Sequence, residues 1–263
     1  MDLGIKGRVA LVAAASKGLG KAAAMELARE GARVVIAARG EEELGAAADE
    51  IRAATGAEVL SVPADVTTVT DIEALVGRAQ AEFDDVDILV NNAGGPRPGT
   101  FTDMTDEDWL SAVNLNLMST VRLTRLVLPG MRRKGWGRII NMTSISVKQP
   151  MANIILSNAA RSAVVAMAKT LSQQVAPDGI TVNNVCPGTI LTDRVRSLAA
   201  NTAQTQGISE EEALQGMQAD IPMGRIGRPE ELAALIAFLA SERASYITGA
   251  TIQVDGGVYR GLL

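Results

Sequence analysis

A chain of 263 residues, 47% hydrophobic yet only 3% aromatic, can build one sizeable core of Ala, Val, Leu and Ile but offers few rings for stacking nucleic-acid bases. A formal charge of −5 further disfavours a polyanionic partner. The lack of any histidine removes the usual neutral-pH general base and a usual zinc ligand, so neither nucleic acid nor a metal is expected.

In chain order, short β-branched runs alternate with longer Ala/Leu/Glu/Arg stretches, the pattern of βαβ units on a parallel sheet. Strands are expected at 8–13, 33–37, 58–62, 87–90, 137–142, 180–185 and 251–254, and helices at 19–30, 41–54, 71–83, 106–133, 154–176 and 230–240. No repeat or linker divides them, so one domain over 1–263 is expected. The polar, Ala-rich stretch at about 191–223 stands out as an insertion, with a capping-box start at Ser209-Glu210-Glu211-Glu212. The longest apolar runs, such as 232–240, fall far short of the roughly 20 residues that span a bilayer. Met1-Asp2-Leu3-Gly4 lacks the basic and apolar regions of a secretory signal. The single cysteine, Cys186, excludes an internal disulfide, and together these features point to a cytoplasmic protein without a membrane partner.

The first strand runs into Ala13-Ala14-Ala15-Ser16-Lys17-Gly18-Leu19-Gly20 and then into a helical stretch. Glycines in such a loop let backbone N–H groups approach a pyrophosphate at the helix N-terminus. Gly18 and Gly20 keep that close approach, whereas Ala14 must hold a negative φ or accept strain. About 20 residues further on, the second strand ends in Ala38-Arg39. Ala38 cannot bond a ribose 2′-hydroxyl, whereas Arg39, with Lys17 beside it, can make charge-assisted bonds to a 2′-phosphate.

Downstream come Val86-Asp87-Ile88-Leu89-Val90-Asn91-Asn92-Ala93-Gly94, Asn114 in Val113-Asn114-Leu115, Ser144, Pro187-Gly188 and Asp255-Gly256-Gly257. From about residue 6 to residue 258 the chain resembles the short-chain dehydrogenase/reductase family, of the 3-oxoacyl-reductase-like type. The resemblance implies an α/β fold, a single Rossmann-type doubly wound parallel sheet with helices on both faces. It also implies a nicotinamide cofactor, NADP(H) in preference to NAD(H) given Lys17 and Arg39. Besides Ala14, Ser16, Lys17, Gly18, Leu19, Gly20 and Arg39, it assigns Asp65 and Val66 to the adenine and Asn92, Ala93 and Gly94 to the adenosine ribose. Pro187, Gly188, Ile190 and Thr192 fall in the loop facing the carboxamide, and Arg161 faces the nicotinamide ribose. The insertion at about 191–223 lies where relatives carry a substrate lid.

The catalytic positions carried over are Asn114, which holds a water in the proton relay, and Ser144, which orients the substrate carbonyl. The family's Y-x-x-x-K reads here Ser157-Asn158-Ala159-Ala160-Arg161, and Ser157 lies thirteen residues past Ser144, the family's spacing from serine to tyrosine. Serine is shorter than tyrosine and a much weaker acid than a phenol of pKa about 10. Arginine brings an always-charged planar fork where lysine brings a compact ammonium. Ser157 then either fills space in its helix or holds a water that relays the proton. Lys148, near Ser146 and Gln149, is either a solvated loop cation or a relocated donor. Arg97 either greets a substrate carboxylate or phosphate or stays on the surface.

The reading that follows is an NADPH-dependent oxidoreductase passing hydride to a small carbonyl, iminium or conjugated substrate with atypical proton delivery. The alternative is a catalytically inactive NADP(H)-binding regulator or partner subunit. The resemblance of 221–231 and 247–257 to subunit-contact segments implies a homotetramer or homodimer.

Overall fold

The computed structural model describes residues 2–262. Its strands are β1 (Val9–Ala13), β2 (Arg33–Ala38), β3 (Val59–Pro63), β4 (Ile88–Asn91), β5 (Gly137–Met142), β6 (Ile180–Pro187) and β7 (Thr251–Val254). All pairings are parallel and the order is β3-β2-β1-β4-β5-β6-β7. Each strand lies within two residues of its expected limits.

The sheet is buried on both faces because its strands are apolar at successive positions and not only at alternate ones. In β1 the side chains of Ala10 and Val12 enter one core with α1 (Gly18–Arg29), α2 (Glu41–Thr55) and α9 (Pro229–Leu239). Val9, Leu11 and Ala13 enter the other, with α3 (Val69–Phe83), α5 (Ser119–Lys134) and α6 (Ile155–Val175). That division is the two-residue period of a strand made visible. Among the described residues no helix is long and apolar enough to cross a membrane.

Two features depart from the sequence expectation or sharpen it. The helix expected at 106–133 is three pieces: α4 (Asp106–Ala112), a π-helical turn (Val113–Met118) and α5. A π turn fits an extra residue into the helix and so rotates the side chains that follow it. The insertion forms α7 (Asp193–Gln206) and α8 (Glu210–Ala219), which share a small cluster of Ala199, Ala203 and Ala213 with Leu214 and Met217. Ser209 and Glu212 do form the capping box.

At the carboxyl end, asparagines line up across the strands in register: Asn91 beside Asn141, and Asn141 beside Asn184. Asn91 Nδ2 donates to Asn141 Oδ1 at 2.9 Å, Asn141 Nδ2 to Asn184 Oδ1 at 2.9 Å, and Asn184 Nδ2 to Thr251 Oγ1 at 3.1 Å. Each amide satisfies the next, so a polar row sits in the buried sheet without stranding its donors. It ties together the strand ends that carry the site.

Candidate active site

In an open parallel sheet, ligands sit outside the carboxyl ends of the strands where the order reverses, here between β1 and β4. The loop after β1 lies there. Ala14 takes φ 48° and Gly18 φ 58°, so Ala14 has accepted the left-handed conformation that a glycine would adopt freely. Asn92 Nδ2 holds the loop by donating to the Ala14 carbonyl at 3.1 Å. Gly20 is required for space, since a Cβ would run into that carbonyl and into the Asn92 amide. Ser16 and Leu19 are half-buried, and Lys17 is exposed at the rim.

Lys17 Nζ lies 3.4 Å from Glu43 of α2, a partner the sequence reading did not foresee. Arg39 is exposed at the end of β2. Beside it, Asp65 accepts from the Thr67 amide at 2.9 Å and the Thr67 hydroxyl at 2.8 Å. The amide bond above all, then the hydroxyl and the Arg39 charge, hold its carboxyl below the usual range. Val66 is buried next to it.

Across the crevice, the loop after β6 is pinned from two sides. Gly188 N donates to Val254 O at 3.0 Å, and Leu191 N donates to Gly227 O at 2.8 Å. A Cβ on Gly188 would strike Asp255. Pro187 is half-buried, Ile190 is buried, and the Thr192 methyl stands 3.5 Å from where a Gly18 Cβ would be. The two loops thus face one another.

Asn114 is not at this site. Its Nδ2 donates to Thr67 O at 3.1 Å and its Oδ1 accepts from Arg122 at 2.7 Å, so both ends are engaged elsewhere. Asn116 is the residue turned inward. It is buried, its Nδ2 donates to Gly94 O at 3.2 Å, and it lines a small cavity with Asn91, Asn92, Ala93, Met142 and Arg161. The sequence held the signal, an Asn-Leu pair repeated two residues on in Val113-Asn114-Leu115-Asn116-Leu117. Only the π turn decides between the two.

Ser144 starts a 3₁₀ turn, its Oγ accepting from Ser146 N at 3.1 Å. Ser157 and Arg161, one turn apart on α6, share its buried face. No side chain among the described residues hydrogen-bonds the Ser157 hydroxyl. Arg161 is 9% exposed and gives its fork to four main-chain carbonyls: Met142 and Thr143 at 3.1 and 3.2 Å, and Ala93 and Gly94 both at 3.2 Å. It staples the end of β5 to the segment after β4. Burial, and then the nearby Arg194 charge, bring its pKa down to about 10, which leaves it charged at neutral pH.

Cys186 lies buried, with the Thr143 hydroxyl 3.1 Å from its sulfur, and burial pushes its thiol up. Lys148 Nζ stands 5.2 Å from the ring centroid of Tyr259, beyond β7. Arg97 is held by Asp108 at 2.8 Å and by the Asp103 carbonyl at 3.0 Å, the surface alternative of its two readings.

A glycine loop at the switch point, exposed cations on that loop and at the end of β2, and a polar, cationic recess at the carboxyl edge together define a dinucleotide-dependent α/β oxidoreductase. The family model described as enoyl-(acyl carrier protein) reductase matches residues 13–259. The 3-oxoacyl-(acyl-carrier-protein) reductase FabG of Escherichia coli is 38% identical over 257 residues, covering 98% of this chain and 99% of that protein. L-sorbose reductase from Gluconobacter frateurii, in complex with NADPH and L-sorbose, superposes with a TM-score of 0.97 at 38% identity, covering 100% of both chains. YwfH, an NADPH-dependent reductase involved in bacilysin biosynthesis, superposes with a TM-score of 0.92 at 33% identity over 97% of this chain and 99% of its own. The chain belongs to the short-chain dehydrogenase/reductase family.

Proposed function

We propose that the protein is an NADPH-dependent reductase of small carbonyl or conjugated acceptors in which Ser157 and Arg161 occupy the family's tyrosine and lysine positions. NAD(H) is the poorer cofactor. The observation that carries this reading is Arg161: a charged, buried guanidinium at the carboxyl edge, with a serine one turn before it. The complexes of similar proteins with NADPH, and the exposed Lys17 and Arg39, support the cofactor.

The Ala14–Gly20 loop offers its amides to the pyrophosphate, with Lys17 and Arg39 at the 2′-phosphate. Asp65, Val66, Asn92, Ala93 and Gly94 line the adenosine side, and Pro187, Gly188, Ile190 and Thr192 the carboxamide side. When bound, the nicotinamide supplies the hydride. Ser144 orients the acceptor oxygen. Arg161 acts through the carbonyls it holds and through its field, which favours the negative charge that develops on that oxygen. Its Nη1 and Nη2 are spent on main-chain carbonyls and it stays charged at neutral pH, so it is a positioning residue and not a proton donor; solvent supplies the proton. The α7–α8 hairpin serves as the lid of a single domain, and the half-exposed edge strand β7 is the surface for a homotetramer or homodimer.

The inactive-regulator reading draws on the same fact, since a site without a matched acid can bind without turning over. Fluorescence titration with NADPH and NADH, followed by turnover on ketones, imines and enones, separates the two. NADPH binding with enone or ketone turnover is expected. Binding without turnover leaves the regulator, and failure to bind either nucleotide overturns both.

A further inference from the structure

The positive charge around the recess is not balanced. Arg161 donates only to carbonyls, and its Nη2 reaches Gly94 O at 3.2 Å. From the other side, Arg194, in the first turn of α7, lays its guanidinium over the next residue. Its Nη2 is 3.0 Å from where a Cβ on Gly95 would stand. Lys148, on the loop after Ser144, holds its Nζ 5.2 Å from the Tyr259 ring centroid. Among the described residues none of these three cations is ion-paired.

The same helical turn shows that this is a matter of direction and not of local composition. Asp193 and Arg196 line a groove with Gly18, Lys21, Glu26 and Glu50, where acids and bases are mixed. Arg194 turns toward Gly95 instead. Two guanidiniums flanking one dipeptide repel each other, and a bound anion would relieve that repulsion. A cationic iminium would increase it.

Building on the reductase reading above, we infer that the acceptor is an anion, a carbonyl or conjugated compound bearing a carboxylate, and that Arg194 on the lid helix binds that carboxylate. Arg161, donating to the neighbouring Gly94 carbonyl, adds fixed positive background. The cofactor's pyrophosphate is the other anion within reach of this end of the sheet, so the test must separate the two.

Isothermal titration of the protein–NADP+ complex, and of the apoprotein, with 4-oxopentanoate and with its methyl ester would do so in wild type, R194K and R194M. The acid is expected to bind at least about tenfold tighter than the ester, the difference between a charge-assisted pair and none. R194M should abolish that preference and R194K should keep part of it. A parallel NADPH titration is expected to shift less than about twofold in R194M. Equal binding of acid and ester, or no binding of either, overturns the inference. So does an R194M loss for NADPH as large as the loss for the acid, which would hand Arg194 to the pyrophosphate. A wild type that binds the acid but not NADPH would keep the carboxylate site at Arg194 and overturn both the reductase reading and the acceptor role built on it.

Discussion

Asn116 and Arg161 meet at one atom: both donate to the carbonyl oxygen of Gly94, each at 3.2 Å. One comes from the π turn and the other from α6, so a single peptide after β4 is held by two helices. Both side chains line the small cavity that also takes in Asn91 and Met142.

That shared carbonyl makes the two asparagines of Val113–Met118 separable by experiment. Replacing Asn116 with alanine frees the segment that faces the cofactor and is expected to lower kcat/KM about ten- to a hundredfold, the usual cost of a misplaced site. Replacing Asn114 with alanine instead breaks the tie to Thr67 and Arg122 and is expected to cost about 1 kcal/mol of stability with little change in turnover. Steady-state kinetics and thermal melts on both variants check this, and the reverse ranking would return Asn114 to the site.

Ala14 stores strain that glycine would not. A left-handed L-residue costs about 1–2 kcal/mol, partly offset by the greater freedom of glycine in the unfolded chain. Ala14→Gly is therefore expected to raise stability by about 1 kcal/mol and Tm by about 2–4 °C in differential scanning calorimetry. An unchanged or lower Tm would mean the turn is relaxed as it stands.

Glu43 competes for Lys17. Its carboxylate lies 3.4 Å from the ammonium in an exposed pair, which is worth little for stability. Glu43→Gln is expected to tighten NADPH about two- to fivefold, to leave NADH unchanged and to lose its effect at high salt. Fluorescence titrations at two ionic strengths read this directly, and equal effects on both nucleotides would place Lys17 away from the 2′-phosphate.

Glu231 links the cofactor loop to acid stability. It accepts from Arg225 at 2.8 and 2.6 Å and from the Arg228 amide at 2.8 Å, clamping the turn whose Gly227 pins Leu191. These bonds, the Arg225 side chain first, lower its pKa from 4.5 to about 2. The stability it contributes is fully present above pH 4.5 and is lost as the pH falls toward 2, because the unfolded chain takes up the proton first. Glu231→Gln should flatten that part of the acid-unfolding curve and leave the curve above pH 5 parallel to wild type. Urea midpoints measured from about pH 2 to 7 give the comparison.

The seven strands were legible from sequence because burial on both faces of a parallel sheet writes itself locally, as short β-branched runs between helical stretches. The loop at Gly18 and Gly20 was legible for a similar reason, since backbone approach and positive φ are properties of single residues. Where a cation finds its partner is not local. Arg97 reads equally as a substrate contact or a surface residue and is spent on Asp108; Lys17 reads as a 2′-phosphate contact and lies beside Glu43. Asn114 and Asn116 are equivalent in any linear reading, and one extra residue in a helical turn points only the second inward. Arg161 could be read as a substitution in a motif, but its four carbonyls come from two other strand ends. Sequence alone thus determined the sheet, the glycine loop and the serine and arginine on α6. The tertiary structure alone decided which charges remain unpaired at the carboxyl edge, because pairing depends on which distant segments the packed sheet brings within bonding distance.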